Sequence, residues 1–158
     1  FSRSQRALYE IVLTAQQAAI DEVQPGRSYS TAHDVAVHVI TEGLCALGLL
    51  KTDPADAIAH GSYKRFFPAK TSHWLGLDVH DVGDYRVDGE PRMLEPGIVL
   101  TVEPGIYIAP DDLSVPEAWR GIGIRIEDDV AVTRDGNEVL TAEVPKLPEE
   151  LEALLAAR

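Results

Sequence analysis

Apolar and polar positions alternate with two different periods along this chain, and the change between them divides it. In the first part Leu8, Ile11, Val12, Ala15, Ala19 and Val23 recur at helical spacing until Pro25-Gly26 stops them. Ser2 followed three residues later by Gln5 has the form of a capping box at the start of that helix. Thr31 with Asp34 predicts the cap of a second helix, with Val35, Val39, Ala46, Leu47 and Leu50 among its apolar positions. Asp53 can cap a short third helix with Pro54 in its first turn, and Gly61 ends it. His33 and His38 lie five residues apart on the second helix and do not share a face well, which disfavours metal binding by that pair.

From about residue 74 the period shortens to two. Ile98, Leu100 and Val102 alternate with Val99, Thr101 and Glu103, as in a half-buried strand. Ile122, Ile124 and Ile126 alternate with Gly123, Arg125 and Glu127, and the run continues into Val130-Ala131-Val132. Asp135-Gly136 supplies a hairpin turn before Val139-Leu140. Pro148 opens a terminal helix with Glu149 and Glu150 at its positive end and Arg158 at its negative end. The expected class is α+β in one unit spanning 1–158, helical over 1–61, mainly strand and turn over 72–144, and helical again over 148–158.

Composition narrows the partners. The chain has 158 residues and a formal charge of −12, so nucleic acid and anionic membranes, which select basic surfaces, are not expected as partners. One cysteine, Cys45, makes no internal disulfide, and no apolar run approaches the roughly 20 residues of a membrane span. No basic-then-apolar leader starts the chain, and a soluble, cytoplasmic protein is expected. Residues 1–77 balance seven acids with seven bases, whereas residues 78–135 carry fourteen acids and five arginines. That acidic stretch reads either as solvated surface or as carboxylates converging on cations.

Three features there can carry chemistry. His73 and His80 stand seven apart among apolar residues, glycine and acids; a neutral imidazole can ligate a divalent metal, and a second can move protons near neutral pH. Glu103 ends a strand because Pro104 cannot continue a ladder, although alone it also reads as a solvated glutamate. Gly123, Arg125 and Glu127 share one strand face, where Arg125 can pair with the glutamate or bind a substrate carboxylate. Gly121 and Gly123 suggest something approaching the backbone closely. One histidine and two glutamates form a mixed nitrogen and oxygen set that suits manganese, cobalt or zinc.

Read together, the segments HWLGLDVHDVG at 73–83, LEPG at 94–97, TVEPGIYI at 101–108 and GIGIRIEDD at 121–129 resemble the catalytic domain of the aminopeptidase P family of pita-bread metallopeptidases. The resemblance runs over nearly the whole chain. It implies a pita-bread fold, incomplete at its N-terminal side, and a centre of two divalent ions, usually Mn²⁺, with Zn²⁺ or Co²⁺ as alternatives. His73, Glu103 and Glu127 match metal ligands, with Glu127 at the bridging position. Glu103 also matches the proton acceptor, His80 a histidine that contacts substrate and the reacting carbonyl, and Arg125 and Tyr107 substrate-side positions. The implied activity is release of the N-terminal residue from peptides with proline second. A prolidase-like dipeptidase shares most of these segments, and a non-catalytic binding module is a third reading, disfavoured by retention of three ligands.

Two departures stand out. The family's two aspartate ligands lie in a segment upstream of a Phe such as Phe1, so only three of five ligands match here and the expected partner is an upstream part of the same protein. The chain alone is then expected to be inactive. Ala69 stands four residues before His73, where many relatives carry another histidine. The resemblance also implies a homo-oligomer.

Overall fold

The computed structural model describes residues 1–157, so the reading of Arg158 as a helix-end charge lies outside the described residues. Helix α1 (Arg3–Asp21) starts on the expected capping box, with Ser2 Oγ accepting from the Gln5 N–H at 3.2 Å and Gln5 Oε1 from the Ser2 N–H at 2.8 Å. Its buried side is Leu8, Val12, Ala15 and Ala19. Helix α2 (Tyr29–Ala46) begins earlier than the sequence suggests: Ser28, not Thr31, is the cap. Ser28 is extended and accepts from the Ser30 N–H, while the Tyr29 N–H is taken by the Arg92 carbonyl at 2.8 Å, which fixes the first turn from outside.

The buried side of α2 is also displaced from the expected stripe. Ala32, Ala36, Val37, Ile40 and Leu44 are buried, Val35, Val39 and Leu47 are half-buried, and Ala46 is exposed. The two helices pack tightly enough that a Cβ on Gly43 would stand 2.7 Å from Ile11 Cδ1, so glycine sets their separation. Helix α3 (Pro54–Ala59) has the predicted Asp53 cap on the Ala55 N–H at 2.9 Å, and Gly61, at φ +68°, turns the chain out of it.

Among the described residues, the strands fall into three small antiparallel sheets. A surface ribbon joins β1 (Arg86–Val87) to β2 (Glu90–Pro91). Strand β3 (Val99–Val102) pairs with β6 (Asp128–Val132), which pairs in turn with β7 (Asn137–Val139) through the expected turn at Asp135-Gly136. Strand β4 (Gly105–Tyr107) pairs only with β5 (Gly123–Arg125).

The alternating run over 122–132 is therefore two strands with different partners, not one. Pro104 is the physical reason. It has no N–H to extend the β3 ladder, so the chain enters a second ladder at Gly105. The opposite strand breaks at Ile126-Glu127 to match, where the Ile126 N–H reaches the Pro104 carbonyl at 3.4 Å. Alternation survives the break: Ile126 is buried and Ile122 and Ile124 half-buried, while Gly123, Arg125 and Glu127 are exposed.

Leu100, Val102, Val130 and Val132 join the buried faces of α1 and α2 in one apolar core. Helix α4 (Pro148–Ala156) lies against α1, where Arg6 pairs with Glu149 at 2.6 Å and Glu152 at 2.8 Å. Among the described residues, no helix is long and apolar enough to cross a membrane.

Candidate metal centre

The segment Thr71–Leu75 runs antiparallel beside β3. The Glu103 N–H binds the Thr71 carbonyl at 2.7 Å, the Thr101 N–H the His73 carbonyl at 3.0 Å, and the Leu75 N–H the Val99 carbonyl at 3.1 Å. That register sets His73 beside Glu103, 30 residues further along the chain, with Nε2 to Oε1 at 3.0 Å. His73 Nδ1 stands 3.0 Å from the Trp74 carbonyl, an orienting contact of the kind that turns the other ring nitrogen, Nε2, toward a ligand position beside Glu103.

Thr101 ties the two side chains together. It is 1% exposed, and its hydroxyl accepts from the His73 N–H at 3.1 Å and donates to Glu103 Oε1 at 3.0 Å. The Thr71–Leu75 segment thus occupies the edge of β3 opposite β6.

Glu127 comes from the junction between β5 and β6 and completes the group. Single donor atoms of His73, Glu103 and Glu127 all lie within 4.8 Å of one another. Although Glu127 is exposed overall, partial desolvation of its carboxyl, followed by the negative charges of Glu103 and Asp129, pushes it above its ordinary range, against the opposing pull of His73 and Arg125. Two carboxylates and one imidazole with surplus negative charge are a donor set a divalent cation would relieve. The 3.0 Å between Nε2 and Oε1 also fits, since donors about 2.1 Å from one ion stand about 3.0–3.5 Å apart in ordinary shells. The residues present fit the group.

Around these donors stand the other residues expected at the site. His80, on an exposed loop, brings its ring centroid to 4.3 Å from that of His73, edge to face. Arg125 Nη1 lies 3.4 Å from Glu103 Oε2, and its Nε donates to the Tyr107 hydroxyl at 2.6 Å. At Gly123 the nearest atom to an added Cβ is Tyr107 Cδ1 at 3.4 Å, the near limit of ordinary contact. Gly121 differs. Its φ of +75° asks for glycine, while the nearest atom to an added Cβ is at ordinary contact distance.

His33 and His38 remain apart. His33 meets Thr71 Oγ1 at 2.8 Å through Nδ1, and His38 meets the Asp34 carbonyl of its own helix.

Sequence reasoning did not single out Thr101 or Tyr29. Thr101 shares the face of Glu103 two residues on, so period-two alternation held its signal. Tyr29 donates to the Ser72 carbonyl and packs its ring 4.7 Å from that of Trp74, from a helix more than forty residues earlier; no local spacing carries it.

A mixed α and β framework thus gathers one imidazole and two carboxylates into a group that could hold a metal ion. The chain belongs to Metallopeptidase family M24, whose sequence profile matches residues 1–134. It is 52% identical over 157 residues to the Xaa-Pro aminopeptidase of Escherichia coli (strain K12), covering 99% of this chain and 35% of that protein. Among solved structures, Pseudomonas aeruginosa aminopeptidase PepP superposes with a TM-score of 0.97 at 60% identity, over 99% of this chain and 36% of that one. Zinc-substituted E. coli aminopeptidase P in complex with product gives a TM-score of 0.93 at 53% identity, over 100% and 36%. The fold is the pita-bread fold of these enzymes, present here in part. The chain spans about a third of the length of the relatives it matches.

Proposed function

We propose that this chain forms part of a metal-dependent aminopeptidase that releases the N-terminal residue from peptides with proline in second position. The observation that carries the reading is the convergence of His73, Glu103 and Glu127 in a chain so similar to Xaa-Pro aminopeptidases. His73, Glu103 and Glu127 would hold the divalent ions, with two aspartates from an upstream part of the protein completing the set. Manganese is the proposed native ion, with zinc or cobalt as substitutes. When bound, the ions lower the pKa of a water and offset charge growing on the carbonyl oxygen.

The chain's own groups do the rest. Glu103 receives the proton released as water attacks, and Thr101 fixes the oxygen nearest His73. His80, unburied and beside His73, donates to the carbonyl of the bond before proline. Arg125 and Tyr107, joined at 2.6 Å, form the substrate-side wall next to Glu103. We place the assembled protein in the cytoplasm as a homo-oligomer.

The test uses full-length protein stripped by a chelator. Adding Mn²⁺ should restore release of the first residue from a peptide with proline second, and activity indifferent to chelation overturns the reading. His80→Ala should keep metal affinity and lower turnover by about 10²–10⁴-fold; loss of the metal instead would show that His80 is a ligand. Preference for Xaa-Pro dipeptides over longer peptides would convert the assignment to a dipeptidase. The 158-residue chain alone should show negligible turnover.

A further inference from the structure

Glu127 occupies the weakest backbone position of the three donors, at the two-residue gap between β5 and β6, yet a strong anchor lies directly behind it. Asp128 is 2% exposed and every carboxylate oxygen is engaged. Gln16 Nε2 donates to Oδ2 at 2.5 Å, while Thr141 Oγ1 at 2.6 Å and Lys146 Nζ at 2.9 Å both reach Oδ1. Thr141 does double duty, because its hydroxyl also accepts from the Asp129 N–H at 3.0 Å. The Asp129 carbonyl takes the Leu140 N–H at 2.8 Å. Lys146 is itself fixed, donating to the carbonyls of Val144 at 2.8 Å and Thr141 at 3.3 Å.

Alternation turns this anchor into a positioning device. Neighbouring side chains on an extended strand point to opposite faces, so burying Asp128 on one side sends Glu127 to the other, toward His73 and Glu103. A one-residue slip would exchange them, leaving Glu127 in the buried polar pocket and Asp128 at the metal face. Such a slip would put a glutamate, longer by one methylene, where Gln16, Thr141 and Lys146 close around the shorter Asp128. The residues that hold Asp128 from the C-terminal side, Thr141 and Lys146, both lie beyond residue 134, where the family match stops.

We propose that Thr141 and Lys146 are positioning residues for the metal centre, acting through Asp128 to fix the register and aim of Glu127. The inference rests on the reading of Glu127 as a ligand.

The experiment titrates Mn²⁺ into full-length, chelator-stripped protein, following free Mn²⁺ by electron paramagnetic resonance, with thermal unfolding of the metal-free protein alongside. Lys146→Met should weaken Mn²⁺ binding about tenfold or more, and Thr141→Val by about threefold or more, as for other residues that orient ligands from behind. Val37→Ala, which opens a cavity in α2 away from the network, should lower Tm without weakening Mn²⁺ binding. If Lys146→Met does not fold, Thr141→Val decides alone. Wild-type Mn²⁺ affinity in the folded clamp variants, or equal weakening in Val37→Ala, overturns the inference. Glu127→Ala separates the two levels: if it binds Mn²⁺ as the wild type does, the ligand reading falls and this inference with it. If Glu127→Ala loses the ion while the clamp variants keep it, only the clamp is wrong.

Discussion

The helical part and the strand part of this molecule are held by different means. Between α1 and α2 the contacts are apolar, and their separation is set by Ile11 lying over Gly43. Around His73 and Glu103 the contacts are polar and directional: three backbone hydrogen bonds set the register, and one threonine hydroxyl serves both residues. Apolar burial is non-directional and stabilises strongly, whereas a donor set must hold its distances and angles closely to bind an ion. Stability and site geometry should therefore separate under mutation.

The largest expected effect lies on the apolar side. Leu44→Ala, at a fully buried position in α2, should cost about 2–5 kcal/mol in chemical denaturation while folded protein keeps its affinity for Mn²⁺. A matching fall in metal affinity would mean that the two parts are coupled. Thr101→Val should be smaller in stability, about 1–3 kcal/mol for an unmet buried hydrogen bond, yet should also weaken metal binding about tenfold. Isothermal titration of full-length protein would measure it, and unchanged affinity would show that Glu103 holds its place without the hydroxyl.

The smallest effect is a pH dependence where the two parts meet. His33 joins α2 to Thr71, and burial, then Lys70 and more weakly Lys64, hold its imidazolium below the ordinary range, against the opposing pull of Asp34. The unfolded chain therefore takes the proton more readily than the folded one, so stability should fall as pH drops through about 6.5 and level off below the folded-state value. His33→Gln should flatten that part of the profile when denaturation is compared at pH 7.5 and 5.5. An unchanged slope would assign the dependence to other groups.

What the sequence made legible follows the same division. Local signals were accurate where the physics is local: the Ser2–Gln5 box, the Asp53 cap with Pro54, and the turn at Asp135-Gly136 all form. The start of α2 was misplaced because the Arg92 carbonyl, more than sixty residues away, holds its first turn. The run over 122–132 read as one strand because alternation does not report partners, and only the missing N–H of Pro104 marks the change. His73, Glu103 and Glu127 were each visible as residues in extended chain. Their meeting was carried by the family resemblance, since registers between distant segments leave no trace in local spacing. The Asp128 network escaped notice for a related reason: an aspartate in an acidic run looks like surface until its lysine arrives from eighteen residues on.

Pro104 has a consequence for how such a chain can vary over generations. Because β4 and β5 form a ladder of their own, the connection between Ile108 and Ile122 leaves and rejoins the fold through that ladder, with Arg65 holding Asp112 and Ser114 and with Val115 buried in the core. Insertions or deletions there are absorbed by one hairpin, while the pairing of Val102 with Asp128 keeps Glu103 and Glu127 in step. A proline that looks like an interruption thus insulates the chemistry from drift in the longest excursion between its two carboxylates.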